Sequence, residues 1–172
     1  AFKGGTCLRK TVFGEDGRFS EDLDFTLRVG FNRDDVAQEV LEFFEGEHLA
    51  VRYAVADWYV THESFGGQIT YSHEHTAAGA FKLDISFREL PTLEVRPREQ
   101  IEQSYFRYLE FAPVALPTLH PLELVAEKVR AAFQRSKVRD LFDLYSYLRG
   151  GGTPVPLLRA LVVLKLWQSK DP

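Results

Sequence analysis

The sequence predicts an α+β fold, a head of mixed strands with flanking helices followed by a helical C-terminal tail. Three observations carry this expectation. Residues 22–27 and 81–87 alternate apolar and polar side chains with a period of two, as half-buried strands do. Beyond Pro121 the period changes, and apolar residues recur at helical spacing over about 121–134, 138–149 and 154–169. The size, 172 residues with 45% hydrophobic and 27% charged side chains, suits one globular domain with a core of its own. The expected division is an α+β domain over residues 1–118 and a helical region over 119–172 packed on it.

Ala1-Phe2 reads as a strand end feeding the turn Lys3-Gly4-Gly5. A short helix over 6–13 has Thr6 near its N-terminus and Gly14 just past its end. A polar loop, 15–20, leads to the first alternating strand, where Leu23, Phe25 and Leu27 oppose Asp22, Asp24 and Thr26. Asn32 can cap a helix over about 33–46, with Val36, Val40, Leu41 and Phe44 as its apolar stripe. Strands are expected at about 50–62, 67–75 and 79–88, with Ser64-Phe65-Gly66-Gly67 as the hairpin between the first two. The last of these sets Asp84 between Lys82 and Ser86 on a polar face. Pro91, Pro97, Pro113, Pro117 and Pro121 interrupt the middle of the chain and leave room for a short strand near 114–118. Gly150-Gly151-Gly152 separates the last two helices.

Composition excludes several classes. One cysteine, Cys7, rules out an internal disulfide framework and suits a reducing, cytoplasmic setting. No run approaches the roughly 18 apolar residues that cross a bilayer, so no membrane partner is expected. Charge is uneven: residues 1–119 carry 12 basic and 20 acidic side chains, residues 120–172 carry 9 and 5. A basic tail is compatible with a polyanion partner, and equally with an unevenly solvated surface. The chain has no methionine and starts three residues before its glycine turn, which leads us to expect missing upstream sequence, including a strand.

Asp22 and Asp24 are the most informative residues. Two apart on a strand, they point the same way with roughly 7 Å between Cα atoms. Carboxylates that close repel one another, and burying them together is costly without a cation. Mg²⁺ commonly takes one or two carboxylates plus substrate phosphates, and Asp84 offers a third from another strand. Three such groups can hold two metal ions about 3.5–4 Å apart for phosphoryl chemistry. The upstream turn adds an anion site: Gly4 and Gly5 let backbone approach a ligand, a helix N-terminus follows, and Thr6 has a hydroxyl.

Lys3-Gly4-Gly5-Thr6 followed by Arg18-Phe19-Ser20-Glu21-Asp22-Leu23-Asp24-Phe25 resembles the signature of polymerase-β-like nucleotidyltransferases. More narrowly it resembles the AbiEii/AbiGii-type toxins of abortive-infection and toxin–antitoxin systems. The resemblance implies that Gly4, Gly5 and Thr6, with Arg18 and Ser20, bind nucleotide triphosphate. It implies that Asp22 and Asp24 bind Mg²⁺ (or Mn²⁺), with Asp84 in the third acidic position. Fifteen residues separate Thr6 from Asp22, more than is usual in the superfamily.

The tail carries the second half of the resemblance. Leu122 to Lys128, then Arg135-Ser136-Lys137-Val138-Arg139-Asp140-Leu141-Phe142-Asp143, is similar to the family's Lys…Arg…Arg-Asp-x-x-Asp segment. Lys128 and Arg135, seven apart, are expected on one helix face, away from an apolar stripe of Leu122, Val125, Val129, Ala132 and Phe133. By resemblance Lys128 contacts phosphate, Arg135 and Arg139 assist, and Asp140 or Asp143 supports the site or moves a proton. The alternative for Arg139 and Asp143, four apart, is an ordinary helical ion pair.

Other signals are weaker. His62, His73 and His75 lack accompanying cysteines and are expected in solvent, Cys7 in the core. Trp58, Tyr59, Tyr105, Phe106 and Tyr108 could stack bases, with packing as their default. The expectation is therefore an NTP-dependent nucleotidyltransferase with an RNA (tRNA) acceptor and a cognate antitoxin. The rivals are a metal-dependent phosphodiesterase or nuclease, a non-catalytic NTP- or antitoxin-binding module, and modification of a protein hydroxyl.

Overall fold

The computed structural model describes residues 1–108 and 112–169, the side chains of Thr76 and Ala77 excepted; residues 170–172 of the expected tail lie outside the described residues. The chain runs β1 (Phe2–Lys3), α1 (Gly4–Leu8), β2 (Leu23–Thr26), α2 (Arg33–Phe43), β3 (Gly46–His48), β4 (Val51–Val60), β5 (Ser64–His73) and β6 (Thr76–Ser86). It continues through β7 (Arg96–Glu99), β8 (Ala115–Thr118), α3 (Pro121–Gln134), α4 (Val138–Arg149) and α5 (Val155–Gln168). α1 continues as a π-helical turn, Arg9–Phe13, ended by Gly14 at φ 58°. The architecture is α+β, a mixed sheet with flanking helices, as expected. Packing divides the chain into two compact units, Ala1 with Glu21–Pro91 and Phe2–Ser20 with Thr92–Pro172. The expected 118/119 boundary followed chain order; these units follow which elements pack together.

The first unit orders its strands β3-β4-β5-β6-β2. β3 to β6 are antiparallel neighbours, and β2 joins β6 in parallel. α2 begins where expected: the Asn32 carboxamide oxygen accepts the Asp34 amide at 2.8 Å. Its Val36, Ala37, Val40 and Leu41 cover Phe65, Ile69, Leu83 and Ile85 on one face of the sheet, with Leu23 and Phe25 beside them. Strand alternation therefore sends the apolar set to α2 and leaves Asp24, Lys82 and Asp84 on the opposite face.

The β4–β5 turn corrects the sequence reading. Residues 64–67 lie within β5, and the reversal is made at Thr61-His62-Glu63. The Thr61 hydroxyl oxygen accepts the Glu63 and Ser64 amides, doing locally what the glycines were expected to do. Gly66 is a glycine for another reason: it faces the Tyr59 ring across the ladder.

The second unit orders its strands β1-β8-β7, with β1 parallel to β8 through Phe2 and Thr118 and β7 antiparallel to β8. β7 was missed because Arg96-Pro97-Arg98-Glu99 has no apolar alternation; it is an edge strand, where proline is tolerated. α3 starts at Pro121, with the His120 imidazole accepting the Leu122 amide. Leu122, Val125 and Ala126 of α3 pack with Leu158 and Leu161 of α5. Phe133, expected in the same stripe, is 76% exposed at the end of α3. Lys165 of α5 is buried because its ammonium meets Glu123 at 2.7 Å and Glu127 at 3.7 Å. Glu123 also accepts the Thr92 and Leu93 amides, both at 2.9 Å.

Candidate active site

In the first unit the parallel register of β2 and β6 sets Asp24 beside Asp84, and Leu23 beside Leu83. Partners across a ladder lie about 4.8 Å apart, so two carboxylates stand side by side on the polar face. Asp22 precedes β2 by one residue and shares the parity of Asp24. Across β6, Asp84 faces Gly66 of β5, and Gly66 faces Tyr59 of β4, giving the row Tyr59, Gly66, Asp84, Asp24. The Tyr59 hydroxyl lies 3.5 Å from Asp84 Oδ1.

Among the described residues no group of three or more His, Cys, Asp or Glu side chains is arranged to hold a metal. The expected trio Asp22, Asp24 and Asp84 is thus not drawn together as a three-ligand group. The adjacent Asp24 and Asp84 fit a different requirement. Mg²⁺ is held by one or two carboxylates with substrate phosphates and water completing its octahedron, and this oxygen pair suits Mg²⁺ or Mn²⁺.

The second unit holds a buried ion network. Arg18 grips Asp143 with two hydrogen bonds, Nε to Oδ1 at 2.9 Å and Nη2 to Oδ2 at 2.8 Å. Lys128 Nζ lies 2.9 Å from Asp143 and 3.1 Å from Asp140. Arg135 closes the chain on Asp140, with Nε 2.9 Å from Oδ2. Asp140 and Asp143 are almost fully buried, as α4 turns one face inward beneath α3. Burial alone would raise the Asp140 carboxyl, but the Arg135 hydrogen bond and the Lys128 charge overcome it and hold the group below its usual range. Each carboxylate of the network meets two cations, Asp140 through Lys128 and Arg135 and Asp143 through Arg18 and Lys128.

Arg135 reaches Asp140 differently from the expected helix-face geometry. It lies just past the end of α3 in extended backbone, and its side chain turns to the next helix. Gly4 adopts φ 79°, and α1 begins there, two residues earlier than expected, leaving Gly5 and Thr6 buried in its first turn. A Cβ on Gly5 would fall 2.5 Å from Arg18 Nη2 and 3.0 Å from Ser20 Oγ, so this glycine admits the arginine. Arg139 is exposed in the first turn of α4.

Within the second unit, then, Gly5, Arg18 and Ser20 are neighbours, as are Lys128, Arg135, Asp140 and Asp143. Asp143, expected only in support, is the hub that clamps Arg18 and Lys128 together. Arg18 and Asp143 are 125 positions apart, beyond the reach of local spacing. Trp58, Tyr59 and Tyr108, expected to pack, are 51%, 52% and 73% exposed. Glycine inside a strand was the available signal for Tyr59.

A mixed sheet carrying paired carboxylates, with a glycine turn and a buried cation network, is the make-up of a nucleotidyltransferase fold. The chain belongs to the nucleotidyl transferase AbiEii toxin family of type IV toxin–antitoxin systems, whose family model matches residues 1–171. Among solved structures it is similar to MenT4, a nucleotidyltransferase toxin from Mycobacterium tuberculosis H37Rv, at TM-score 0.83 and 29% identity. That match covers 97% of this chain and 56% of the other, so the chain spans little more than half the length of its structural relative. No curated protein matches the sequence. Among the described residues no helix is long and apolar enough to cross a membrane.

Proposed function

We propose that the chain moves a nucleoside monophosphate from an NTP to an acceptor hydroxyl, with RNA (tRNA) as acceptor, Mg²⁺ as cofactor, and a cognate antitoxin restraining it as a toxin. The observation that carries this reading is the register of Asp24 with Asp84, which sets two metal-suited carboxylates on one polar sheet face. Family membership supports the transfer chemistry and the antitoxin. A metal held by Asp24 and Asp84, with Asp22 joining once substrate is bound, would supply charge neutralisation at the α-phosphate and a lowered acceptor pKa.

The chain's own residues do the rest. The turn at Gly4, φ 79°, would bring backbone amides to phosphate oxygens, with Gly5 and Thr6 buried behind it. Lys128, Arg135 and Arg18 supply fixed positive charge, with Asp140 and Asp143 holding Lys128 and Arg18 in one orientation. Asp84 receives the acceptor proton, the acceptor oxygen bonds to the α-phosphorus, and the bond to the bridging oxygen breaks, releasing pyrophosphate. A nuclease could use the same carboxylates and cations, and is distinguished by taking water in place of an NTP.

Incubation of the protein with each labelled NTP, Mg²⁺ and total RNA, and with total protein in parallel, tests the reading. Label should enter RNA, and Asp24→Asn or Asp84→Asn should lower incorporation at least about 10³-fold. Incorporation by Asp24→Asn at the wild-type rate, or NTP-independent RNA cleavage, would refute it.

A further inference from the structure

We infer that Tyr59 is a nucleobase platform: its ring, seated on Gly66 beside Asp84, stacks against the base of a nucleotide lying in the groove of this sheet face. The inference rests on Asp84 belonging to the proposed site.

The seat is specific. A Cβ on Gly66 would collide with the Tyr59 ring carbons and hydroxyl, so the ring lies directly on the glycine backbone. The ring is backed by the sheet at Gly66, while the residue stays 52% exposed. The same pairing recurs as Tyr71 over Gly79 with a different use: there the ring turns toward the α2 side and neighbours Phe81, 6.2 Å between centroids. Tyr71 packs, whereas Tyr59 is presented.

The surroundings suit a base. Tyr59 borders a groove of about 290 Å³ whose other polar walls are Asp57, Gln68, Lys82 and Asp84. That is near the lower bound of small-molecule sites, about 300 Å³, and matches a single base better than an extended ligand. The Gln68 carboxamide and Asp57 carboxylate can meet the edge of a base, and Lys82 a phosphate. The hydroxyl, 3.5 Å from Asp84 Oδ1, marks where the ring stands, at the edge of the carboxylate pair. A stacked base therefore belongs to a nucleotide whose phosphate or hydroxyl is within reach of the chemistry. It is supplied either by the NTP or by the acceptor end.

The test compares wild type with Tyr59→Phe, Tyr59→Ala and Gly66→Ala. Binding of each of the four NTPs and of short homopolymeric oligoribonucleotides is measured by calorimetry in Mg²⁺, and label transfer is measured alongside. Tyr59 is on the surface, so Tyr59→Ala should melt within a few degrees of wild type. Tyr59→Phe should bind within about twofold of wild type, and Tyr59→Ala about 5- to 100-fold more weakly. Gly66→Ala, which displaces the ring while keeping it, should resemble Tyr59→Ala. The loss should appear in Kd and KM, with kcat little changed, and the substrate whose constant moves identifies the source of the base. Unchanged binding by Tyr59→Ala overturns the inference. So does a Tyr59→Phe defect as large as that of Tyr59→Ala, which would assign the hydroxyl to positioning Asp84. Nucleotide binding through Tyr59 without label transfer leaves the platform standing and removes the transferase reading. Transfer that needs Asp24 and ignores Tyr59 does the reverse.

Discussion

Asp140 shows how one side chain can tie stability to acidity. It is buried, yet Arg135 and Lys128 hold its carboxyl below the ordinary range. With the folded pKa depressed, the unfolded chain binds the proton more readily, so stability is lost as pH falls below about 4, through the folded pKa. Asp140→Asn removes that acid limb and leaves Lys128 and Arg135 short of a counter-charge. It should cost about 3 kcal/mol near pH 7, and the two stability curves should converge as pH drops; urea titrations at stepped pH check this. At this scale the sequence was a partial guide. Strand parity exposed Asp22 and Asp24, while Lys128 and Asp140 stood out only through the family resemblance. Asp143's partner Arg18 was hidden, because nothing local links positions 125 apart. Tyr59 was legible as an aromatic that could stack a base, but its exposure was not, because an exposed aromatic and a buried one look alike in a string of letters.

Among the elements, α3 and α4 were legible to the residue because proline and glycine mark their ends. α2 was legible only at its start, where Asn32 caps it; it stops at Phe43 instead of running to 46, and Gly46–His48 forms β3, which the sequence did not signal. The β4–β5 turn was misplaced because Gly66-Gly67 signals a turn as loudly as it signals a close approach, and Thr61 supplied the turn instead. α5 defied its composition. An almost uniformly apolar helix buries Lys165, 1% exposed, against Glu123 of α3. Glu123 is also held by two amides, so it stays in place whatever happens to Lys165. Lys165→Met should therefore leave a buried carboxylate without its cation and cost about 3–5 kcal/mol. For a chain of this length that is about 10 °C of Tm by thermal denaturation. Adding Glu123→Gln removes the stranded charge but also one of the two oxygens that accept the Thr92 and Leu93 amides, so it should recover only part of the loss, which a double-mutant cycle measures.

At the scale of the whole molecule, the core beneath α2 and the core between α3 and α5 lie in different units and predict different responses. Ile69 lies in the first core, wholly buried, and Ile69→Ala should cost about 3 kcal/mol. Native-state hydrogen exchange should show lower protection at Leu83 and Ile85, while Val125 and Ala126 keep theirs. The sequence foretold an α+β chain ending in helices. It did not reveal that residues 2–20 pack with 92–172 around an intervening segment, because that grouping rests on long-range pairings such as Phe2 with Thr118. The discontinuity also bears on how the protein is made. During synthesis Arg18 leaves the ribosome long before Asp143, and the whole of 21–91 must emerge between them. The nascent chain can complete its sheet-face carboxylates while its arginine clamp still lacks a carboxylate to grip. A ribosome stalled before α4 therefore leaves Arg18 without the carboxylate that orients it, and the ion network closes only once α4 has emerged and folded against α3.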